Sequence, residues 1–116
     1  MSQPCSLLEL LLVDARDLAL PATRRMLEFA AAQAIPHGAL RAGESVDAPI
    51  DHADALDFWL SGDEREWPFA RAAAFAGVEE GRTLFASMDP VARAAAASAG
   101  LVATVPNLDV MERMLP

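Results

Sequence analysis

Apolar residues recur along most of the chain at the three- and four-residue spacing of amphipathic helices. This spacing predicts helices over residues 6–18, 21–35, 51–62, 69–76 and 90–99, with further helices around residues 84–88 and after residue 107. Pro21 and Pro90 fit the first turn of a helix, and Gly77 fits a helix end. The pattern predicts an all-α protein, a compact bundle of about six or seven short helices, in a single domain over residues 1–116.

The composition favours the same fold class. Strands are enriched in β-branched residues, and this chain has few of them: two Ile, three Thr and seven Val. The low number favours helices over strands. Two short apolar runs leave an alternative open, because periodicity alone does not distinguish a buried strand from a buried helix segment. In that alternative the protein is α/β, with short strands near residues 8–13 and 101–105.

Two further features concern organisation. Residues 36–50, which contain two prolines and two glycines, are predicted to form the longest loop. Residues 68–76 and 90–97 echo each other, since each begins with proline, carries one arginine and is otherwise mostly alanine. A true repeat would stack two similar units, and coincidence in an alanine-rich chain is the other explanation.

The charge of the chain narrows its partners. Seventeen acids face nine arginines, lysine is absent, and the formal net charge is −8. This balance works against non-specific binding to nucleic acid or to an anionic membrane. The apolar run at residues 7–13 is too short to span a bilayer and no arginine precedes it, which predicts a cytoplasmic protein.

Residues that could carry chemistry are few. The single cysteine, Cys5, cannot form a disulfide within the chain. His37 and His52 are isolated, and the acids around His52 lack the spacing of a calcium loop or a two-metal helical site. No glycine-rich phosphate loop or nucleophile motif occurs. The sequence therefore predicts no catalytic, cofactor-binding or metal-binding residues, and it favours a protein that is not an enzyme.

Aromatic residues gather in one part of the chain. Trp59, Trp67 and Phe69 are three of its seven aromatics and lie within eleven positions. Such a group forms either a local core where two helices meet or a patch that binds a partner, because aromatic residues concentrate at interaction hot spots. These three residues are the candidate partner-binding residues.

The stretch around residues 56–85 carries a partial resemblance. Trp67-Pro68-Phe69, followed by Ala76-Gly77-Val78, resembles a motif in small uncharacterised proteins of bacteria and their phages. In those proteins the motif leads into a hairpin similar to a helix-turn-helix. The resemblance implies DNA binding, and three arginines would then contact DNA: Arg71, Arg82 and Arg93.

These observations predict a non-catalytic helical module that binds another protein, as a small cytoplasmic regulator or adaptor. One alternative is a helix-turn-helix transcriptional regulator that binds DNA. Another is an enzyme accessory subunit or a carrier of a small ligand. A homodimer is also predicted through residues 7–18, whose leucines would leave apolar surface on more than one side of a helix.

Overall fold

A parallel β-sheet of five strands forms the centre of the protein, in a computed structural model that describes residues 8–42, 53–62 and 66–114. The strands, in chain order, are β1 (Leu10–Asp14), β2 (His37–Arg41), β3 (Phe58–Ser61), β4 (Thr83–Ala86) and β5 (Val102–Thr104). Their order across the sheet is β3-β2-β1-β4-β5, and every neighbouring pair is parallel. The helices are α1 (Pro21–Ala32), α2 (Phe69–Ala76), α3 (Pro90–Ser98) and α4 (Leu108–Arg113).

The predicted all-α bundle is therefore wrong, and the fold is α/β. The first predicted helix is instead the central strand β1, in which Leu10 to Val13 are fully buried. A strand covered on both faces is a continuous apolar run, which also satisfies a helical pattern. The alternative with strands near residues 8–13 and 101–105 agrees with the positions of β1 and β5, but it omitted the other three strands.

Three other predicted elements are corrected. The helix over residues 51–62 is replaced, in its described part, by one 3₁₀ turn (Ala53–Ala55) and strand β3. The helix around residues 84–88 is strand β4, and β2 lies within the predicted loop at 36–50. These strands consist largely of Leu, Ala and aromatic residues rather than β-branched ones. These strands form because they are buried between neighbouring strands. The number of β-branched residues in the sequence does not indicate that burial.

Strand β4 also removes the helix-turn-helix. After α2, Gly77 adopts φ of 72° as the helix C-cap, and a 3₁₀ turn (Glu80–Arg82) leads directly into β4. No second helix follows within residues 66–89, so no element there corresponds to a recognition helix.

The two faces of the sheet are covered by different helices. Side chains of β1 alternate between the faces: Leu11 and Val13 join the core beneath α1 and α4, while Leu10 and Leu12 join the core beneath α2 and α3. This alternation is the period of two expected of a strand. Each face of the sheet is therefore covered by one helix pair, and the candidate site lies at the carboxyl ends of β1 and β4.

The fold also bears on the predicted dimer and on the predicted loop. The predicted dimer loses the surface that motivated it, because the leucines of residues 8–13 are buried in the sheet. Cys5 and His52 lie outside the described residues, as do Leu7 and most of the predicted loop at 36–50. Among the described helices, none combines the length and apolar character that crossing a bilayer requires.

Candidate functional site

The carboxyl ends of β1 and β4 are the point at which the strand order reverses. From β1 the chain continues to β2 on one side of the sheet, and β4 and β5 lie on the other side. In open α/β sheets, ligands bind in the crevice outside this switch point. The residues that follow β1 and β4 here are Asp14 to Asp17 and Ser87 to Asp89. We call this set of residues the edge network.

Asp14 lies at the centre of the edge network and is almost completely buried. Its carboxylate accepts hydrogen bonds from the backbone N–H and Nε of Arg16, both at 3.0 Å, and from Nη2 of Arg16 at 2.6 Å. The hydroxyl of Ser87 also donates to it, at 2.7 Å. Both carboxylate oxygens of Asp14 therefore accept hydrogen bonds from Arg16, and one of them also accepts from Ser87.

Arg16 is held from three directions. Besides Asp14, its Nη2 atom donates to Asp89 at 2.9 Å, and its guanidinium carbon lies 5.7 Å from the centre of the Trp67 ring. The two carboxylates raise the pKa of Arg16 above its ordinary value, so it remains charged at any physiological pH. About half of the side chain is exposed, so a rigid positive charge is presented at this edge.

The environment of Asp17 disfavours its charged form, whereas that of Arg16 favours the charge. Its carboxylate accepts a hydrogen bond from the backbone N–H of Met88 at 2.8 Å. Burial raises the pKa of Asp17, and the nearby charges of Asp14 and Asp89 add to the increase, although the Met88 bond opposes it. The pKa of Asp89 is instead lowered, above all by its hydrogen bond from Arg16.

These opposite shifts predict opposite pH dependences. A carboxyl whose pKa is raised on folding binds protons more tightly in the native state, so its contribution to stability falls as pH rises through the native pKa. We therefore expect Asp17→Asn to stabilise the protein at about pH 7, with the gain disappearing toward about pH 4 as Asp17 becomes protonated. The matched variant Asp89→Asn should lower stability at neutral pH and do so less in acid. Urea unfolding of both variants and the wild type across this range measures the two trends. Equal trends for both variants would contradict this description of the network.

A groove between α2 and α3 adjoins the edge network. On the opposite face of the sheet α1 and α4 pack against each other, whereas here the two helices stand apart. The groove has a volume of about 570 Å³, within the range of roughly 300–1,000 Å³ that is typical of ligand-binding clefts. We call it the α2–α3 groove. It is lined by Gly62, Glu66, Trp67, Pro68, Phe69, Ala70, Arg71, Ala95, Ser98 and Ala99.

Trp67 connects the α2–α3 groove to the edge network. Its ring stacks on Phe69 at 5.7 Å and meets Phe85 edge-on at 5.3 Å, while Arg16 lies over it. Phe69 is nearly buried, and Trp67 is only partly buried. The indole therefore has one part fixed in the core and another part available in the groove, as is typical of an interaction hot spot.

Only two of the three aromatic candidates share a surface. Trp59 lies in β3, packs with the core beneath α1 and α4, and carries the guanidinium of Arg41 at 4.9 Å from its ring centre. Trp67 and Phe69 lie beneath α2 and α3, on the other face of the sheet. The structure therefore places two candidates in the groove and removes Trp59 from it.

The three arginines proposed for DNA binding do not form one basic surface. Arg71 lies in the groove and donates to the carbonyl of Ser61. Arg82 pairs with Glu9 at 2.8 Å, at the amino end of the sheet. Arg93 donates to the carbonyl of Ser87 at 2.9 Å, at the carboxyl end. Arg82 and Arg93 lie at opposite ends of the sheet and Arg82 is paired with an acid, an arrangement that does not favour a shared contact with one duplex.

The histidine and acidic side chains of the described residues are not clustered as metal ligands would be. His37 is buried at the start of β2, where its Nδ1 atom lies 2.8 Å from the carbonyl of Ile35 and 3.3 Å from the carboxylate of Asp57. Within residues 8–42, 53–62 and 66–114, no three His, Cys, Asp or Glu side chains are grouped so that they could hold a metal ion. At the edge network the single guanidinium of Arg16 forms ion pairs with both Asp14 and Asp89.

The residues of the edge network were missed by the sequence analysis, although a signal was present. The apolar run at residues 10–13 is followed by Asp14 and Asp17 and then by a helix that starts at Pro21. The apolar run at residues 84–86 is followed by Ser87 and Asp89 and then by a helix that starts at Pro90. Parallel strands end at the same edge of a sheet, so this arrangement predicts that Asp14 and Ser87 meet. The signal is informative only once both runs are recognised as strands.

Comparisons with protein-family models, with curated proteins and with solved structures find no match for this chain. The interpretation of the site therefore depends on its geometry.

Proposed function

We propose that the protein is a non-catalytic binding module that recognises a helical segment of another protein in the α2–α3 groove. The observation that carries this proposal is the composition of the groove. It combines a half-buried tryptophan, a phenylalanine and an arginine with small residues, and tryptophan and arginine are enriched at binding hot spots.

The small residues favour a helix as the occupant. Ala95, Ser98 and Ala99 follow one another at the i, i+3, i+4 spacing and so form one stripe along α3, facing Ala70 of α2. Small side chains allow another helix backbone to approach closely. A third helix here would complete the layer in the way that α1 and α4 complete the opposite one.

The charge of Arg71 indicates that the partner helix carries an acidic residue. Arg71 is exposed at the groove and offers donors beyond the one that contacts Ser61. An acidic side chain at one end of an otherwise apolar helical stripe would pair with it. The partner is therefore a helix with Leu or Met at i, i+3, i+4 and i+7, and with Asp or Glu near one end.

The edge network supports a role without catalysis. The buried carboxylate of Asp14 accepts hydrogen bonds on both oxygens, from Arg16 and Ser87, so attack on a substrate would require those hydrogen bonds to break first. We assign to Arg16 the role of fixing one side of Trp67, since its guanidinium lies over the ring. A fixed indole reduces the entropy lost on binding.

A peptide library tests this proposal. Helical peptides with the stated apolar stripe, and with an acid at varied positions, are displayed on phage and selected on the wild-type protein. We expect enriched peptides to bind the wild type and the Ala97→Phe variant, and to lose at least about tenfold in affinity on Ser98→Phe, a factor worth 1.4 kcal/mol. Ala97 is an exposed α3 residue outside the groove, so it is the matched control. Failure to enrich any peptide, or equal binding to Ser98→Phe, would contradict the proposal.

A further inference from the structure

The starts of α1 and α2 lack the side-chain cap that α3 and α4 have. Asp89 caps α3 and Asn107 caps α4, each with a side-chain oxygen that accepts a backbone N–H. At α1 the capping position is Leu20, no side-chain cap is formed, and the first turn contains no acid. In a chain with seventeen acids, this helix begins without the negative charge that its dipole favours.

A second, independent observation lies in the same turn. Thr23 is fully buried, and its Oγ1 atom is a buried side-chain oxygen without a hydrogen-bond partner in the described part of the chain. Buried hydroxyls are nearly always hydrogen-bonded, because an unmet one costs free energy. Since Cα–Cβ bonds in a helix tilt toward its N-terminus, the Thr23 side chain is directed toward the start of α1.

The surroundings of this turn include charges of both signs. Arg24 is exposed in the first turn of α1, and Asp17 precedes the helix. The Asp17 carboxylate accepts a hydrogen bond from the backbone N–H of Met88. The N–H groups of Ala22 and Thr23 are the donors at this end, since Pro21 has none.

We propose that the N-terminus of α1 binds a small oxyanion of the phosphate type through the amides of Ala22 and Thr23 and the hydroxyl of Thr23. Helix starts after the strands of an α/β sheet bind phosphate groups in this way, with backbone N–H groups and the dipole acting together. The site belongs to the α1 face of the sheet, so it is separate from the α2–α3 groove and does not depend on the proposed function.

An NMR titration of the full chain with inorganic phosphate tests the site, with chloride added to hold the ionic strength constant. We expect saturable shifts of the Ala22 and Thr23 amide signals. The Val91 amide, at the start of the Asp89-capped helix, should not shift and is the internal control. Thr23→Val, which keeps the shape of the side chain, should weaken binding about tenfold, because a hydrogen bond to a charged group is lost.

A second pair of variants keeps the proposal falsifiable if Thr23→Val perturbs the fold. Leu20→Asp introduces a capping carboxylate that occupies the same amides, so phosphate binding should be lost while the protein remains folded. Leu20→Ala removes the same side chain without adding an acceptor and should bind phosphate as the wild type does. Unsaturable shifts, an equal shift at Val91, or undiminished binding by Leu20→Asp would each overturn the proposal.

Discussion

Phe85→Ala is expected to lower the free energy of unfolding by about 3–5 kcal/mol, the range for removing a large aromatic side chain from a core. Phe85 lies fully buried in β4, where its ring meets Phe69 at 5.0 Å and Trp67 at 5.3 Å. Truncation would leave a cavity at the centre of the core beneath α2 and α3. Urea unfolding, with the midpoint and the slope fitted together, measures the loss.

Phe75→Ala is the matched control for this prediction. Phe75 lies on α2 and is 68% exposed, with one ring contact to Phe58 at 5.0 Å. Its truncation should cost less than about 1 kcal/mol, because exposed substitutions rarely cost more. If the two variants lost equal stability, β4 would not occupy the buried position that the fold assigns to it.

Arg16→Met is expected to lower the free energy of unfolding by about 2–3 kcal/mol. Removing one partner of a buried pair leaves an uncompensated charge, which typically costs roughly 3–5 kcal/mol, and the half-exposed Arg16 reduces that figure. Asp14 would keep the Ser87 hydroxyl and one backbone N–H but would lose its counter-charge. Thermal and urea unfolding at neutral pH measure the change.

A double-mutant cycle identifies the cause. Adding Asp14→Asn to Arg16→Met removes the stranded charge, so the double variant should recover part of the lost stability. Arg25→Met, at an exposed position on α1, should stay within about ±0.5 kcal/mol. Additive losses in the double variant would show that Arg16 does not act through Asp14.

The helices of this protein could be predicted better than its strands. α3 follows directly from Asp89-Pro90, because an acid that caps and a proline at the first position act within a few residues. α2 likewise ends where Gly77 permits a left-handed conformation that other residues rarely adopt. Such signals lie within a few residues of the helix end, so a single sequence is enough to identify them.

The strands depend on contacts that the sequence does not display. Leu10 to Val13 is apolar throughout, and only its pairing with β2 and β4 decides that it is extended rather than helical. β2 includes Gly38, which lies beneath the Phe58 ring, with no room for a side chain. The edge network could not be predicted for the same reason, since Asp14 and Ser87 are 73 positions apart and meet only through the sheet.

The clustering of aromatic residues in the sequence indicates part of the groove lining. Aromatic residues concentrate at interfaces, which makes Trp67 and Phe69 candidates, and both line the α2–α3 groove. Trp59, a candidate by the same reasoning, lies on the other face of the sheet, because side chains alternate along β3 and its neighbours Phe58 and Leu60 take the face of the groove. Nearness in sequence therefore identified the segment but not the side of the sheet.

The central claim is that a partner helix binds against Trp67, and fluorescence of this residue tests it most directly. In the Trp59→Phe variant, Trp67 is the sole tryptophan, so its emission reports on the groove alone. Titration with a peptide selected on the wild type should shift this emission in a saturable way. The shift should persist in the Ala97→Phe background and disappear in the Ser98→Phe background. Binding that leaves the emission of Trp67 unchanged would contradict the claim.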